Sequence, residues 1–510
     1  MAAAEFVVVA NRLPVDRIET ADGEEIWRTS PGGLVAALEP MMRSVDGAWV
    51  GWAGMPDVEL APFDADGIRL IPVALSEADV QEYYEGFSND TIWPLYHDVI
   101  APPQYHREWW EAYVSVNLRF AEAASAAVAK GGTVWVHDYQ LQLVPEMVRN
   151  LRPDVTIGYF HHIPFPSHGL YAQLPWRDQV LRGLLGADVI GFQRSQDAAN
   201  FLAAVKRRLG FETKASAITL PDGRRSHARA YPISIDTTPY RELAQRADIR
   251  ARAVEIREGL GNPKHILLGV DRLDYTKGIR HRIKAYGELL DQGRISVEDV
   301  TFIQVASPSR ERVDAYVHLR DEVELAIGRI NGDHDTLGHT AIRYLHQGFP
   351  REEMVAMYLA ADVMLVTALR DGMNLVAKEY VAARFDNDGV LILSEFAGAA
   401  DELKQAVIVN PHDIGALKDS IERAIQMPRR ERSTRMRALR KRVRDNDVAR
   451  WSRSFLEALD RHAPRNAQID PSAADPREQH REAQTDNMSI FDQDAQSARA
   501  AEDTREARDD

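Results

Sequence analysis

Two carboxylates, Asp371 and Glu379, bracket the segment Asp371-Gly372-Met373-Asn374-Leu375-Val376-Ala377-Lys378-Glu379. Ahead of it runs the apolar stretch Asp362 to Leu369, which reads as a buried parallel strand, and after it Leu375 to Arg384 carries a helical pattern. A strand, a tight turn and a helix start present unpaired backbone N–H groups and a positive dipole end, which suit an anionic group. A carboxylate cannot hold phosphate, but it accepts hydrogen bonds from sugar hydroxyls. Amides for phosphate beside carboxylates for hydroxyls suit a sugar nucleotide. Val270-Asp271-Arg272-Leu273-Asp274-Tyr275-Thr276-Lys277-Gly278 ends another apolar run. Arg272 and Lys277 on that loop could neutralise a departing diphosphate, the main electrostatic demand of glycosyl transfer.

Further candidates also follow apolar runs. Arg12, in Asn11-Arg12-Leu13-Pro14, offers a planar fork to a phosphate or carboxylate. Ser30-Pro31-Gly32-Gly33-Leu34 has paired glycines that let a phosphate approach the backbone. Tyr84 and Trp93, in an aromatic, turn-rich segment, could offer an OH and an indole N–H to a sugar phosphate. Asp138 closes the strand Thr133–His137, where a carboxylate is costly unless paired or functional. His161 and His162 close the next; neighbours on a strand face opposite ways and no third ligand has metal spacing, so a metal site is rejected. Arg310 adds a cation after the run Val300–Val305.

The elements that must position these residues alternate between strand-like and helical patterns, which predicts an α/β fold with parallel sheets. The first half has strand runs at 6–10, 48–52, 133–137, 156–160 and 187–192; the second at 265–270, 300–305, 363–367, 390–393 and 406–409. A chain of 510 residues is too long for one core. We place the border near Asp236, after Tyr231-Pro232-Ile233-Ser234-Ile235 and before a polar helix from Thr238 to Gly261, giving domains 1–235 and 236–465. An amphipathic helix, Trp451 to His462, could pack back on the first domain, and the acidic tail 466–510 reads as disordered. Ligands of such sheets sit at the carboxyl ends of the strands, so two domains would face each other across a cleft.

Composition removes other classes. There is no cysteine, hence no disulfide, zinc-thiolate or thiol chemistry. A net charge of −15 disfavours nucleic acid. No apolar run reaches the roughly 18 residues of a membrane span, and the N-terminus lacks the basic start of a signal peptide; a cytoplasmic protein is expected. No G-x-G-x-x-G follows a strand, which argues against a dinucleotide dehydrogenase.

The set NRLP, YYEGFSND with IWP, HDYQL, HHIPFP, VDRLDYTKGI and RDGMNLVAKE resembles the trehalose-6-phosphate synthase family, retaining glycosyltransferases of the GT-B fold, from about Phe6 to His462. That resemblance implies two Rossmann-like domains and transfer of glucose from an NDP-glucose (UDP-, ADP- or GDP-glucose) to glucose 6-phosphate. It implies glucose 6-phosphate at Arg12, Tyr84, Trp93 and Arg310, with Asp138 on acceptor hydroxyls. On the donor side it implies Gly32 and Gly33 approaching the donor, Arg272 and Lys277 on the diphosphate, and Asp371 with Gly372, Met373 and Asn374 at the hexose. Leu375 and Val376 amides would meet phosphate, Glu379 the ribose, Phe349 the base, and His162 the transferred glucose. Asp138, His162, Arg272, Lys277 and Asp371 form the implied catalytic set. No tightly bound cofactor, no metal and a homo-oligomer (dimer or tetramer) are expected. The alternatives are another retaining glucosyltransferase of this fold and a catalytically silent regulatory homologue.

Overall fold

The computed structural model describes residues 3–19 and 25–29, Val35, Leu38 and Met42, and 47–463. The tail read as disordered lies outside the described residues. Apolar runs that bury both faces form two central sheets. Val7, Val8 and Val9 have no exposed surface, and their strand, Ala4–Arg12, lies between Gly47–Trp52 and Val128–His137, parallel to both.

In chain order the parallel strands of the first sheet, Ala4–Arg12, Gly47–Trp52, Ile68–Pro72, Val128–His137, Thr156–Phe160, Val189–Phe192 and Arg225–Ala230, lie 3-2-1-4-5-6-7. The short strands Phe63–Ala65, Glu212–Lys214 and Ala217–Thr219 extend its edges through antiparallel pairs. The second sheet, His265–Arg272, Val300–Ser307, Ile342–Leu345, Val363–Val366, Val390–Ser394 and Val407–Val409, is all parallel and lies 3-2-1-4-5-6. Each sheet reverses its strand order between its first and fourth strands. A crevice opens beyond the strand ends at such a point. In the first sheet the reversal exposes the ends that carry Arg12 and Asp138. In the second it exposes those that carry Arg272 and, just past Val366, Asp371.

The expected strand runs all appear, with four differences in detail. Val128–His137 begins five residues earlier than the apolar run, because Val128 pairs with Ala4 ahead of a register shift. Ile68–Pro72, Arg225–Ala230, Ile342–Leu345, the edge strands and the hairpin of Val15–Glu19 with Glu25–Thr29 were not expected. The helix expected over 238–261 is two helices, Thr237–Gln245 and Ala247–Gly259, since Arg246 adopts an extended conformation with ψ 139°. Most of the segment read as turn-rich, residues 83–94, falls in a π-helix, Val80–Ile92, whose wider turn escapes a 3.6-residue pattern.

The last helix, Val448–His462, starts on Asp447, whose carboxylate accepts from the Arg450 N–H at 2.9 Å. It crosses back to the first sheet. Phe455 stacks on Trp135 at 4.7 Å, and Trp451 meets Trp135 and Phe160 at 5.4 and 5.1 Å. This approach needs Gly158, where a Cβ would stand 2.9 Å from the Phe455 ring.

Candidate active site

At the first sheet's reversal, Arg12 pairs with Asp16 at 3.0 Å and lies 5.2 Å over the Trp52 ring, which neighbours Tyr84. Asp138 has φ 75° and ψ 172°, a region essentially reserved for glycine, so the surrounding contacts hold it there. One of those contacts runs from the His162 N–H to Asp138 Oδ1 at 3.2 Å. Burial pushes the Asp138 carboxyl up to about 7, against backbone hydrogen bonds and the pull of Arg272 and Arg310.

His161 and His162 do point opposite ways. His161 Nδ1 meets the Tyr159 OH at 3.0 Å, while the His162 ring meets His137 at 3.1 Å and Gln193 at 3.4 Å. Burial lowers His161 and His162 to about 3, so both rings are neutral near pH 7. Among the described residues no three His, Asp or Glu gather as a cation site.

At the second reversal the two cations part company. Lys277 is buried and donates to Asp371 Oδ2 at 2.7 Å. Arg272 is exposed, its guanidinium 5.5 Å over the Trp93 ring. Burial pushes the Asp371 carboxyl up, but Lys277 and the Asn374 amide overcome that and leave it below the ordinary range. Asn374, at φ 74°, caps the helix Leu375–Ala383 by accepting from the Ala377 N–H. The amides of Leu375 and Val376, in the first turn, have no acceptor within the helix. The Met373 N–H turns back to Asp371 Oδ1 at 3.3 Å. Further along, Glu379 accepts from the Tyr358 OH at 2.9 Å, and burial pushes its carboxyl up. Phe349 is half-buried just ahead of the helix Arg351–Ala360. Gly32 and Gly33 lie outside the described residues.

Arg310 crosses between the halves. Its backbone is left-handed, φ 51°, and its side chain is almost fully buried. The guanidinium lies 3.8 Å over the Trp93 ring and donates to the Tyr139 OH at 3.0 Å, to Tyr316, and to Asp274 at 3.3 Å. Burial pushes the Asp274 carboxyl up, but Arg310, Lys277 and Arg272 overcome this and hold it at about 2. The Trp93 indole N–H is buried with no partner among the described residues. Gly372 abuts the His162 carbonyl so closely that a Cβ there would stand 2.2 Å from the oxygen. The bidentate pair of Arg194 with Asp401 also joins the halves.

Thus the structure brings Asp138, His162, Arg272, Lys277, Trp93, Arg310, Asp371 and Gly372 to one cleft. Glu379 and Phe349 lie instead at the helix Arg351–Ala360, the first bonded to its Tyr358 and the second just ahead of its start. Reasoning from residue types missed Tyr139 and Asp274, although both stand inside quoted motifs. The signal for Asp274 was a carboxylate between two cations, Arg272 and Lys277.

The chain matches the model of glycosyltransferase family 20 over residues 4–461. It is similar to the trehalose-6-phosphate synthase of Mycolicibacterium paratuberculosis, 55% identical over 475 residues, covering 91% of this chain and 96% of that one. Among solved structures it is similar to an α,α-trehalose-phosphate synthase (UDP-forming) from Burkholderia vietnamiensis, with a TM-score of 0.84, 33% identity and coverage of 91% and 99%. A Burkholderia xenovorans counterpart in complex with glucose 6-phosphate gives a TM-score of 0.81, 34% identity and coverage of 89% and 99%. The architecture is GT-B.

Proposed function

This chain belongs to glycosyltransferase family 20, and from that premise we propose that it is a trehalose-6-phosphate synthase, moving glucose from UDP-glucose or another NDP-glucose to glucose 6-phosphate with retention. One observation carries the reading: the two strand-order reversals meet at a single cleft, bridged by Arg310 on Trp93 and by Gly372 on His162. Residues 1–235 serve the acceptor and 236–465 the donor. The relatives named UDP-forming and the glucose 6-phosphate complex support this assignment.

On the acceptor side, Arg12 and Arg310 hold the sugar phosphate by charge-assisted bonds, with Tyr84 and Trp93 around it. Asp138 accepts from acceptor hydroxyls, and its carboxyl must be ionised to do so fully. On the donor side the Leu375 and Val376 amides meet phosphate at a helix start, Glu379 meets the ribose and Phe349 the base. Asp371, ionised by Lys277, takes hexose hydroxyls. As the glycosidic C–O bond breaks, negative charge grows on the diphosphate beside Arg272 and Lys277. The departing oxygen takes the proton of the incoming hydroxyl, which bonds to the anomeric carbon on the same face. Both carboxylates are committed to hydroxyl binding in this scheme, so neither acts as the nucleophile a double displacement requires. Closure of the halves keeps water from the donor.

The test incubates the protein with glucose 6-phosphate and each NDP-glucose in turn, and follows nucleoside diphosphate release and the anomeric configuration of the disaccharide. An α,α-linked product bears the proposal out. Release that needs an α-glucan in place of glucose 6-phosphate would mean another retaining glucosyltransferase, and release with no acceptor would mean hydrolysis of the donor.

A further inference from the structure

A buried polar chain runs from the cleft through the hinge, the connecting residues 231–236 at the border of the two halves, to the donor helix, and the activity proposed above leaves most of it unexplained. It begins at His137, fully buried, whose Nδ1 lies 3.1 Å from His162 Nε2. The other nitrogen of the His162 ring, Nδ1, lies 3.4 Å from Gln193 Nε2. Gln193 is 3% exposed, and its Oε1 accepts from the Ile233 backbone N–H at 2.9 Å. The carbonyl of that same residue accepts from Lys378 Nζ at 2.8 Å. Lys378 is 1% exposed, pairs with Glu402, and precedes Glu379 on the helix whose first amides face the cleft.

The donor and acceptor roles along this chain are forced. A backbone N–H only donates, so the Gln193 atom facing Ile233 is the oxygen. The atom facing His162 is then the NH₂, which only donates, so His162 Nδ1 must be bare. A neutral ring with a bare Nδ1 carries its proton on Nε2, where it donates to His137 Nδ1. His137 in turn carries its proton on Nε2, which is buried with no partner among the described residues. At the other end, a lysine this deeply buried is costly to retain for stability alone. Its bond to the Ile233 carbonyl fixes one peptide of the hinge segment against the donor helix.

We infer that Gln193 and Lys378 are positioning residues for glucosyl transfer: from opposite sides of the Ile233 peptide they hold His162 as its Nε2–H tautomer and lock the donor helix to that ring. The inference rests on the reading that places His162 beside the transferred glucose. It makes the hinge peptide the part shared by the two halves of the site, so a disturbance at Lys378 reaches His162.

Histidine-labelled protein read by two-bond nitrogen–proton NMR tests this without substrate, with the His162 signal assigned by its loss in His162→Ala. The expected spectrum shows a bare Nδ1 and a protonated Nε2. Gln193→Glu still accepts from Ile233 but now requires a proton on Nδ1, so the pattern should invert. kcat should fall about 10- to 100-fold, the usual cost of a small misplacement, with the KM for glucose 6-phosphate nearly unchanged. Lys378→Met with Glu402→Leu removes the buried pair together, avoiding a lone charge. Combined with Gln193→Glu it should cost no more than the larger single effect. A wild-type protein that forms product with Nδ1–H at His162, or a folded Gln193→Glu with unchanged kcat, overturns the inference and leaves the activity standing. A wild-type protein that forms no product with any donor overturns the activity instead, while its spectrum still decides the tautomer. If Gln193→Glu does not fold, the wild-type spectrum decides alone.

Discussion

Asp138 and Asp371 occupy equivalent places, each just past the fourth parallel strand of its sheet at the reversal of strand order. Both are pushed up by burial, yet they end on opposite sides of the ordinary carboxylate range. Asp138 answers burial with backbone N–H groups and distant arginines, and stays at about 7. Asp371 answers it with the Lys277 ammonium at 2.7 Å, and falls below its ordinary value. One fold position, repeated, gives one carboxylate that titrates near neutrality and one that stays charged. The difference lies in the groups that contact the carboxylate, the Lys277 ammonium first among them, rather than in the sheet.

Removing that cation breaks the comparison outright. Lys277→Ala should lower kcat by about 10²- to 10³-fold, as for the loss of a contact made to developing charge. It should also lower the melting temperature, because it leaves Asp371 buried and unpaired. Arg272→Ala, at an exposed site, should lose a similar factor in kcat with the melting temperature unchanged; calorimetry beside steady-state kinetics separates the two. If both variants kept near-wild-type turnover, the donor assignment would fall.

Gly372→Ala tests whether the two carboxylates must share one cleft. Its methyl would strike the His162 carbonyl and part the halves, and kcat/KM should fall about 10²-fold while isolated UDP binding, followed by calorimetry, changes little. Arg310→Ala and Arg12→Ala sharpen the acceptor side: each should raise the KM for glucose 6-phosphate about tenfold, in line with one lost charge-assisted contact. The preference for glucose 6-phosphate over glucose should shrink with it, and an unchanged preference would sink the phosphate clamp.

The smallest effect is a pH slope. Below its folded value of about 7 the native Asp138 keeps a proton that the unfolded chain releases near 4. The native state therefore binds more protons across that interval, and this group's contribution to stability falls as pH rises through it. His161 and His162, depressed to about 3, contribute the opposite slope below their ordinary value. Subtracting the Asp138→Asn melting curve from wild type isolates the carboxylate. The same variant should remove the rise in acceptor kcat/KM expected as pH passes about 7; a rise that persists belongs to another group.

Fold and site were legible to different depths. Both-faces-buried strands such as Ala4–Arg12 announce themselves as apolar runs, and their order of appearance implies the parallel sheets. Strands of three residues at a sheet edge, such as Glu212–Lys214, leave no such mark, being half exposed and too short for alternation. Asp138, Arg272 and Asp371 were found because a charge directly after an apolar run is costly without a purpose. The left-handed backbones of Asp138, Arg310 and Asn374 were not foreseeable, since long-range contacts impose them. The route from His137 to Lys378 joins residues 241 positions apart in sequence, and no local pattern encodes it.

The last helix has a bearing on how the molecule is born. Trp135, Phe160 and the glycine faces of the first sheet are synthesised early, but Trp451 and Phe455, which cover them, emerge from the ribosome more than two hundred residues later. At about 5–20 residues per second that is a delay of roughly 10–60 s. Throughout it a nascent first half presents an uncovered aromatic surface, the kind of apolar exposure that attracts chaperones or a neighbouring nascent chain. Vectorial synthesis thus makes the first sheet wait for the final helix of the chain's described part.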